Sequence, residues 1–258
     1  MICRDIMKTI EERYPKSYAM EWDNVGLLVG RSDKEVKKVF IALDATDEVI
    51  DEAIKMGADM LITHHPLIFK ALRQINDNNF ISNRVIRLIQ NDISYYAMHT
   101  NYDVMGMADL AGGMLAFEDM EVLEVTDEAE EQGIGRVADL KEEMTLEECA
   151  QFVKEKFRLP SVKVYGNPKM KINRMAVSPG SGKSVIGMSL IKGADVLVTG
   201  DIDHHEGIDA VAQQMAVIDA GHYGIEHIFI EDMRQFCADK FAQLEVKTAE
   251  IAHPFWVL

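Results

Sequence analysis

Two segments of this chain repeat one another at a constant shift of 136 residues. The stretch GADMLIT at 57–63 aligns without a gap on GADVLVT at 193–199, and the two agree at five of seven positions. With the same shift, the apolar run at 39–42 aligns on 175–178. Two matching stretches in the same order are hard to attribute to chance, so the sequence predicts a duplicated folding unit.

Hydrophobic periodicity predicts the elements of the first half. A short apolar run predicts a strand at 39–43, apolar residues at helical spacing predict a helix ending at Gly57, and 60–63 is a second buried strand. A helix at 82–90 and a strand at 93–98 follow. Strands that alternate with helices are typical of βαβ units, so we predict an α/β fold with a mainly parallel sheet.

The second half begins after an acidic segment, 118–131, which has little periodicity and is interpreted as a surface connection. Beyond it, the pattern predicts a helix near 145–157 and a strand near 162–165, and then repeats the first half. The predicted architecture is therefore two similar α/β halves, residues 1–125 and 126–258, that arose by internal duplication.

The charge balance restricts the partners that we expect. The 258 residues include 27 basic and 43 acidic side chains, a net charge of −16, which disfavours nucleic acid as a main partner. Apolar runs are too short to span a membrane, and the first residues lack the layout of a secretory signal. Cys3, Cys149 and Cys237 are too few and too scattered for a disulfide framework, so we expect a cytoplasmic protein.

Histidines and carboxylates follow the predicted strands, at the sheet edge where α/β proteins bind ligands. Neutral imidazoles and carboxylates suit Zn, Fe, Mn or Co, and a carboxylate can bridge two ions. A single histidine at a strand end is more often structural, but the coincidence of three such clusters favours a metal site. The clusters are His64-His65, His99 with Asp103, and His222 with Glu226.

Two further segments carry polar groups at predicted strand ends. The GKS tail of 178–184 is similar to a phosphate-binding loop, but Val177 stands where such a loop needs glycine. The segment therefore predicts no nucleotide-binding loop, and the backbone N–H groups at the helix start could still contact a substrate anion. The segment 200–206, GDIDHHE, either contacts the substrate and the ligands or is a polar helix start. His227 and His253 are interpreted as structural residues.

Five motifs, in order, resemble the GTP cyclohydrolase I type 2 family, also called the Ngg-interacting-factor-three-like family. They are EWDNVGLLVG (21–30), ADMLITHHPLIF (58–69), HTNYD (99–103), DVLVTGDIDHH (195–205) and AGHYGIE (220–226). The resemblance implies a dinuclear metal site between two similar α/β domains and ring-shaped hexamers. It implies that the metal ligands are His64, His65, Asp103, His222 and Glu226.

These observations lead to two hypotheses about function. The first is a hydrolase that uses two divalent ions on a small nucleotide-like substrate, with Asp103 or Glu226 bridging the ions and His99 or His205 moving a proton. The second is a metal carrier, chaperone or regulatory scaffold without turnover. We also expect a homo-oligomer, because Phe255–Leu258 is strongly apolar, and the resemblance implies that it is a hexamer.

Overall fold

The structure is a computed structural model that describes residues 1–258, and it divides into two compact units. The first unit comprises Met1–Tyr102 and Phe229–Ile251, and the second comprises Asp103–Ile228 and Ala252–Leu258. The boundary predicted at 125/126 falls inside a strand of the second unit. The last helix and the last strand return to the first unit, so each unit is described separately below.

The helices and strands occur in the following order. Residues up to Tyr102 form α1 (Cys3–Arg13), β1 (Gly26–Val29), β2 (Lys38–Ala42), α2 (Asp47–Met56), β3 (Met60–Thr63), α3 (Phe80–Gln90), β4 (Ser94–Ala97) and α4 (Thr100–Tyr102). After a π-helical turn at Asp103–Met107 come α5 (Ala108–Met114), β5 (Glu121–Asp127), β6 (Gln132–Thr145), α6 (Leu146–Lys156), β7 (Lys163–Tyr165), β8 (Lys171–Ser181), α7 (Ile186–Ile191), β9 (Val196–Gly200), α8 (His204–Ala212), β10 (Ala216–Asp219) and α9 (His222–Glu226). The chain then forms α10 (Ile228–Lys240) and β11 (Glu245–Thr248).

The first unit contains a five-stranded sheet in the order β1-β4-β3-β2-β11. All neighbours are parallel except β1, which pairs antiparallel with β4. The predicted strands and helices of this region are confirmed. Phe40, Leu61 and Tyr95 are fully buried on one face of this sheet, where they pack with residues of α2 and α3. Because the sheet is covered there, its strands are near-continuous apolar runs.

The second unit contains a six-stranded sheet in the order β5-β6-β8-β9-β10-β7. Only β8, β9 and β10 are parallel neighbours, while the other three pairings are antiparallel. The expected mainly parallel sheet is therefore correct for the first unit and wrong for the second. The long strands β6 and β8 pair antiparallel, although α6 and β7 lie between them in the chain.

The acidic segment 118–131 is predicted to be a surface connection, but half of it forms a strand. Residues Glu121–Asp127 form β5, an edge strand that pairs antiparallel with β6. Leu123 is fully buried in the core of the second unit, whereas its charged neighbours stay at the surface. Charged side chains on an edge strand discourage pairing with another chain, and they also hide the strand periodicity in the sequence.

The duplication is visible in the strand register of the two units. The pairs Val39–Met60, Phe40–Leu61 and Ile41–Ile62 in β2 and β3 correspond, at a shift of 136, to the pairs Met175–Val196, Ala176–Leu197 and Val177–Val198 in β8 and β9. The turn before the second strand is repeated as well. Asp59 accepts hydrogen bonds from the backbone N–H groups of 37 and 38, and Asp195 accepts them from those of 173 and 174.

The three cysteines have the environment that the sequence predicts for unpaired thiols. Cys3, Cys149 and Cys237 are free and buried. Burial raises the pKa of each thiol, to about 12 for Cys149 and Cys237, so the reactive thiolate is scarce at neutral pH. None of the helices combines the length and the hydropathy that a membrane-spanning segment needs.

Candidate metal centre

Three histidines of the first unit converge at the carboxyl ends of two neighbouring parallel strands. His64 and His65 follow β3, and His99 follows β4. Their donor nitrogens lie within 4.8 Å of one another. Pro66 comes directly after the pair and has no N–H for a further ladder bond, so the chain leaves the sheet there. We call His64, His65 and His99 the imidazole set.

Each ring of the imidazole set is oriented through its Nδ1 atom. The contacts of Nδ1 are to the Met98 carbonyl for His64 (2.9 Å), to Asp44 Oδ1 for His65 (2.8 Å) and to Asp23 Oδ1 for His99 (2.9 Å). Carbonyl and carboxylate oxygens accept hydrogen bonds, so Nδ1 carries the proton and donates. The atom that each neutral ring can present to a metal is then Nε2, which is the usual arrangement of metal-binding histidines.

Asp23, which orients the His99 ring, is itself held by several hydrogen bonds. Its carboxylate also accepts hydrogen bonds from the Thr100 hydroxyl at 2.5 Å, the Thr100 N–H at 3.0 Å and the Asn24 N–H at 2.8 Å. Burial raises the pKa of Asp23, but the hydrogen bonds from His99 and Thr100 outweigh burial and lower it to about 2. Asp23 is therefore ionised at neutral pH and accepts the hydrogen bond of His99 Nδ1.

The second unit contains a set of donors richer in oxygen. His222 Nε2 lies 3.1 Å from Glu226 Oε2, four residues along on the same face of α9, as predicted. A carboxylate oxygen of Asp103, at the start of the π-helical turn, lies within 4.8 Å of one of Glu226. We call Asp103, His222 and Glu226 the carboxylate set. Glu226 is only 2% exposed, and two carboxylates so close together repel unless a cation lies near them.

The ends of β8 and β9 position the carboxylate set. Asp201 follows β9, and its Oδ2 contacts His222 Nδ1 at 2.8 Å. Gly180, near the end of β8, has a φ of +81°, and a Cβ there would lie 2.7 Å from Glu226 Oε1. Glycine at this position therefore makes the room that the Glu226 carboxylate occupies.

We expect Gly180→Ala to weaken metal binding by displacing Glu226. The matched control is Gly193→Ala, because Gly193 has a similar φ of +70° but no atom near its Cβ position. Both variants carry a backbone cost of about 1 kcal/mol. Zinc titration and thermal unfolding separate the two effects: both variants should lose stability, and only Gly180→Ala should lose affinity. Equal affinities in the two variants would contradict the assigned role of Gly180.

Neither His205 nor the GKS tail contributes a donor to the carboxylate set. His205 is on the exposed first turn of α8, where its ring lies 5.2 Å from that of His204. Ser178–Ser181 belong to β8, and Gly182–Val185 form a single 3₁₀ turn. Lys183 forms an ion pair with Glu206, so its charge is already compensated by a carboxylate. This pairing makes the segment less suited to hold a substrate anion.

The remaining histidines behave as structural residues. His227 is 7% exposed, and its Nε2 bonds the Phe157 carbonyl at 2.9 Å. His253 packs its ring at 5.5 Å from that of Tyr223. Neither histidine is in the imidazole set or the carboxylate set.

Three aspartates orient the histidines: Asp23, Asp44 and Asp201. Sequence reasoning assigned no role to Asp23 or Asp44, whereas Asp201 lies in the 200–206 segment, for which contact with the ligands was one of two interpretations. Asp44 comes shortly after β2, so the rule that found the histidines could have found it too. Asp23 lies in a loop between α1 and β1, and only its place in the EWDNVGLLVG motif distinguishes it.

Comparison with known proteins identifies the family. The model of the Duf34/NIF3 (NGG1p interacting factor 3) family matches residues 1–254. The chain belongs to the DUF34/NIF3 family. Its relatives include proteins named GTP cyclohydrolase 1 type 2 homolog. One from Clostridium acetobutylicum is 38% identical, covering 86% of this chain and 84% of the relative, and one from Streptococcus pneumoniae is 34% identical over 99% of both.

A solved structure has the same fold as this chain. The crystal structure of a Staphylococcus aureus hypothetical protein superposes with a TM-score of 0.91 at 32% identity, covering 100% of this chain and 99% of the other. The family resemblance and the α/β class expected from the sequence are both confirmed. The buried imidazole and carboxylate groups described above could hold a metal ion, since borderline nitrogen and hard oxygen donors suit first-row divalent metals.

Proposed function

We propose that this DUF34/NIF3 protein is a metal-dependent hydrolase that acts on a small nucleotide-like molecule. In the proposal, two divalent ions are held by His64, His65, Asp103, His222 and Glu226. The observation that carries it is the orientation of the imidazole set, in which an oxygen acceptor holds Nδ1 of every ring. Structural histidines rarely cluster in this way, whereas metal ligands are routinely oriented by carboxylates and carbonyls. The names of the relatives support a nucleotide as substrate.

The residues around the metal have distinct proposed roles. A divalent ion supplies Lewis acidity and lowers the pKa of a water molecule. His99 is the proposed proton carrier: Asp23 holds its Nδ1–H, so a proton would enter and leave at Nε2. His205 is the second proposed proton carrier, and its exposed position on α8 allows exchange with solvent.

A metal carrier without turnover is the second candidate. The observation that favours it is the ion pair of Lys183 with Glu206. Lys183 is the lysine of the segment most similar to a phosphate-binding loop, and its charge is already paired with a carboxylate. A carrier needs the ligands but no contact for a substrate phosphate.

The experiment measures metal content and turnover together. Protein purified without chelator is analysed for bound metal, loaded in turn with Zn, Mn, Fe and Co, and assayed against a nucleotide panel that includes GTP. Turnover that disappears in His65→Ala and persists in His253→Gln supports the hydrolase. Metal binding without turnover on any nucleotide supports the carrier, and absence of metal binding contradicts both.

We also propose that the protein works in the cytoplasm as a closed homo-oligomer, most simply a hexamer. The Phe255–Leu258 segment supports this assembly, because its four apolar side chains are 58 to 106% exposed. A chain with a net charge of −16 needs apolar contact area to associate, and soluble homo-oligomers usually close by point symmetry. Light scattering at moderate salt should report a mass several-fold above 29.1 kDa. A stable monomer at micromolar concentration would contradict the assembly.

A further inference from the structure

Two large aromatic side chains of the first unit lie exposed beside one another. Trp22 is 59% exposed and Phe69 is 49% exposed, and their ring centroids are 5.6 Å apart. They come from loops 47 residues apart in sequence, one before β1 and one after β3. Exposed aromatic pairs of this size are unfavourable in water, and they commonly mark binding surfaces.

Hydrogen bonds hold both loops in place. The Asn24 side-chain amide donates to the Ile68 carbonyl at 2.6 Å, which ties the loop of Trp22 to the residue before Phe69. The Met20 N–H donates to the Thr100 hydroxyl at 2.9 Å, and Asp23 binds His99 and Thr100. The residues on both sides of Trp22 are therefore anchored, so the aromatic surface exists before any ligand binds.

The aromatic pair borders the imidazole set. The ring centroid of His99 lies 6.0 Å from that of Trp22 and 6.3 Å from that of Phe69, with interplanar angles of 72° and 73°. A small molecule held at His99 would therefore lie beside two aromatic rings. The planes of Trp22 and Phe69 are inclined at 50° to each other, so they do not stack together, and a face of one remains available to a flat ligand.

We propose that Trp22 and Phe69 form a stacking surface for the planar heteroaromatic ring of the substrate. This proposal rests on the proposed function and defines the substrate class of the same site: a purine-like ring, bound by its face. Stacking of a base on aromatic side chains depends on the flat ring and requires no charge. That suits an acidic chain, which attracts no anion at long range.

The two tryptophans of the chain make the test direct. Trp256→Phe leaves Trp22 as the single indole, and its fluorescence is recorded while guanosine is added, with ribose as the matched probe without a ring. Both titrations use the full chain, first loaded with Zn and then after chelation. We expect saturable quenching by guanosine in both states and none by ribose. No quenching by guanosine in either state would overturn the proposal.

A pair of phenylalanine variants separates stacking from apolar burial. Phe69→Leu, in the Trp256→Phe background, keeps an apolar side chain but removes the flat ring, and we expect guanosine affinity to fall about tenfold. Phe80→Leu is the control, because Phe80 is 61% exposed on α3 of the same unit. Equal affinity in both variants would overturn the proposal. So would a decrease in oligomer mass on Trp22→Leu, since the pair would then be an interface between copies.

The outcomes distinguish this inference from the proposed function. Guanosine quenching requires neither turnover nor bound metal. Quenching without turnover on any nucleotide contradicts the hydrolase and leaves the stacking surface supported. Turnover together with unchanged guanosine affinity in Phe69→Leu supports the hydrolase and contradicts the stacking surface.

Discussion

Glu226→Gln is expected to lower the affinity of the protein for a divalent metal by more than about 100-fold, because loss of an outer contact of a metal ligand already costs about 10 to 100-fold. The substitution keeps the shape of the side chain and removes its charge. Glu226 is nearly fully buried beside His222 and within 4.8 Å of Asp103, so no water-exposed carboxylate can easily replace it.

Competition titration with a zinc chelator dye measures this effect. The control is Glu231→Gln on α10, because Glu231 pairs with Arg234 at the surface and lies outside both donor sets. We expect the control to match wild type. Wild-type affinity in Glu226→Gln would remove Glu226 from the ligand set, and circular dichroism of both variants shows whether the fold is kept.

Tyr95→Phe is expected to destabilise the protein by about 1–3 kcal/mol and to weaken metal binding as well. The fully buried hydroxyl of Tyr95 accepts a hydrogen bond from the Leu67 N–H at 2.8 Å and lies 2.9 Å from the His65 carbonyl. It also bonds the Thr63 hydroxyl at 2.7 Å. Removing it leaves the buried N–H of Leu67 without its acceptor and loosens the turn that carries His64 and His65.

The neighbouring tyrosine provides the control. Tyr96 points to the opposite face of β4, where its hydroxyl donates to Glu11 at 3.1 Å. Tyr96→Phe should cost less stability, because Glu11 can bond water instead, and it should leave metal affinity unchanged. Urea unfolding and the zinc titration are run on both variants. If the two variants lose metal affinity equally, the effect belongs to the strand and the hydroxyl of Tyr95 does not position His65.

The elements that the sequence predicts best are those with buried, short-range patterns. Strands β2, β3, β9 and β10 are short, mostly apolar runs, because their sheet positions are covered, and the strand-end rule then leads to His64, His65 and His222. The positions of these histidines can be predicted because they follow only from local structure and from the edge at which parallel strands end.

The features that the sequence did not predict depend on pairing across long separations. Strand β5 pairs with β6, and three of its seven residues are charged, which weakens the apolar pattern of the segment. The contact of Asp23 with His99 joins positions 76 residues apart, and the loop of Asp23 has no periodicity to place it. The place of α10 and β11 in the first unit likewise follows from β11 pairing with β2, which no local pattern encodes.

Because the two units share a strand register, the residues at equivalent positions of the two copies can be compared. The shift of 136 that relates β3 to β9 places Asp201 at the position of His65. One copy therefore offers an imidazole nitrogen just beyond its strand, and the other offers an oxygen that steadies a histidine. Two unchanged copies would have supplied the same donor twice. At this one equivalent position the first copy has a candidate metal ligand, and the second copy has the carboxylate that orients another candidate ligand, His222.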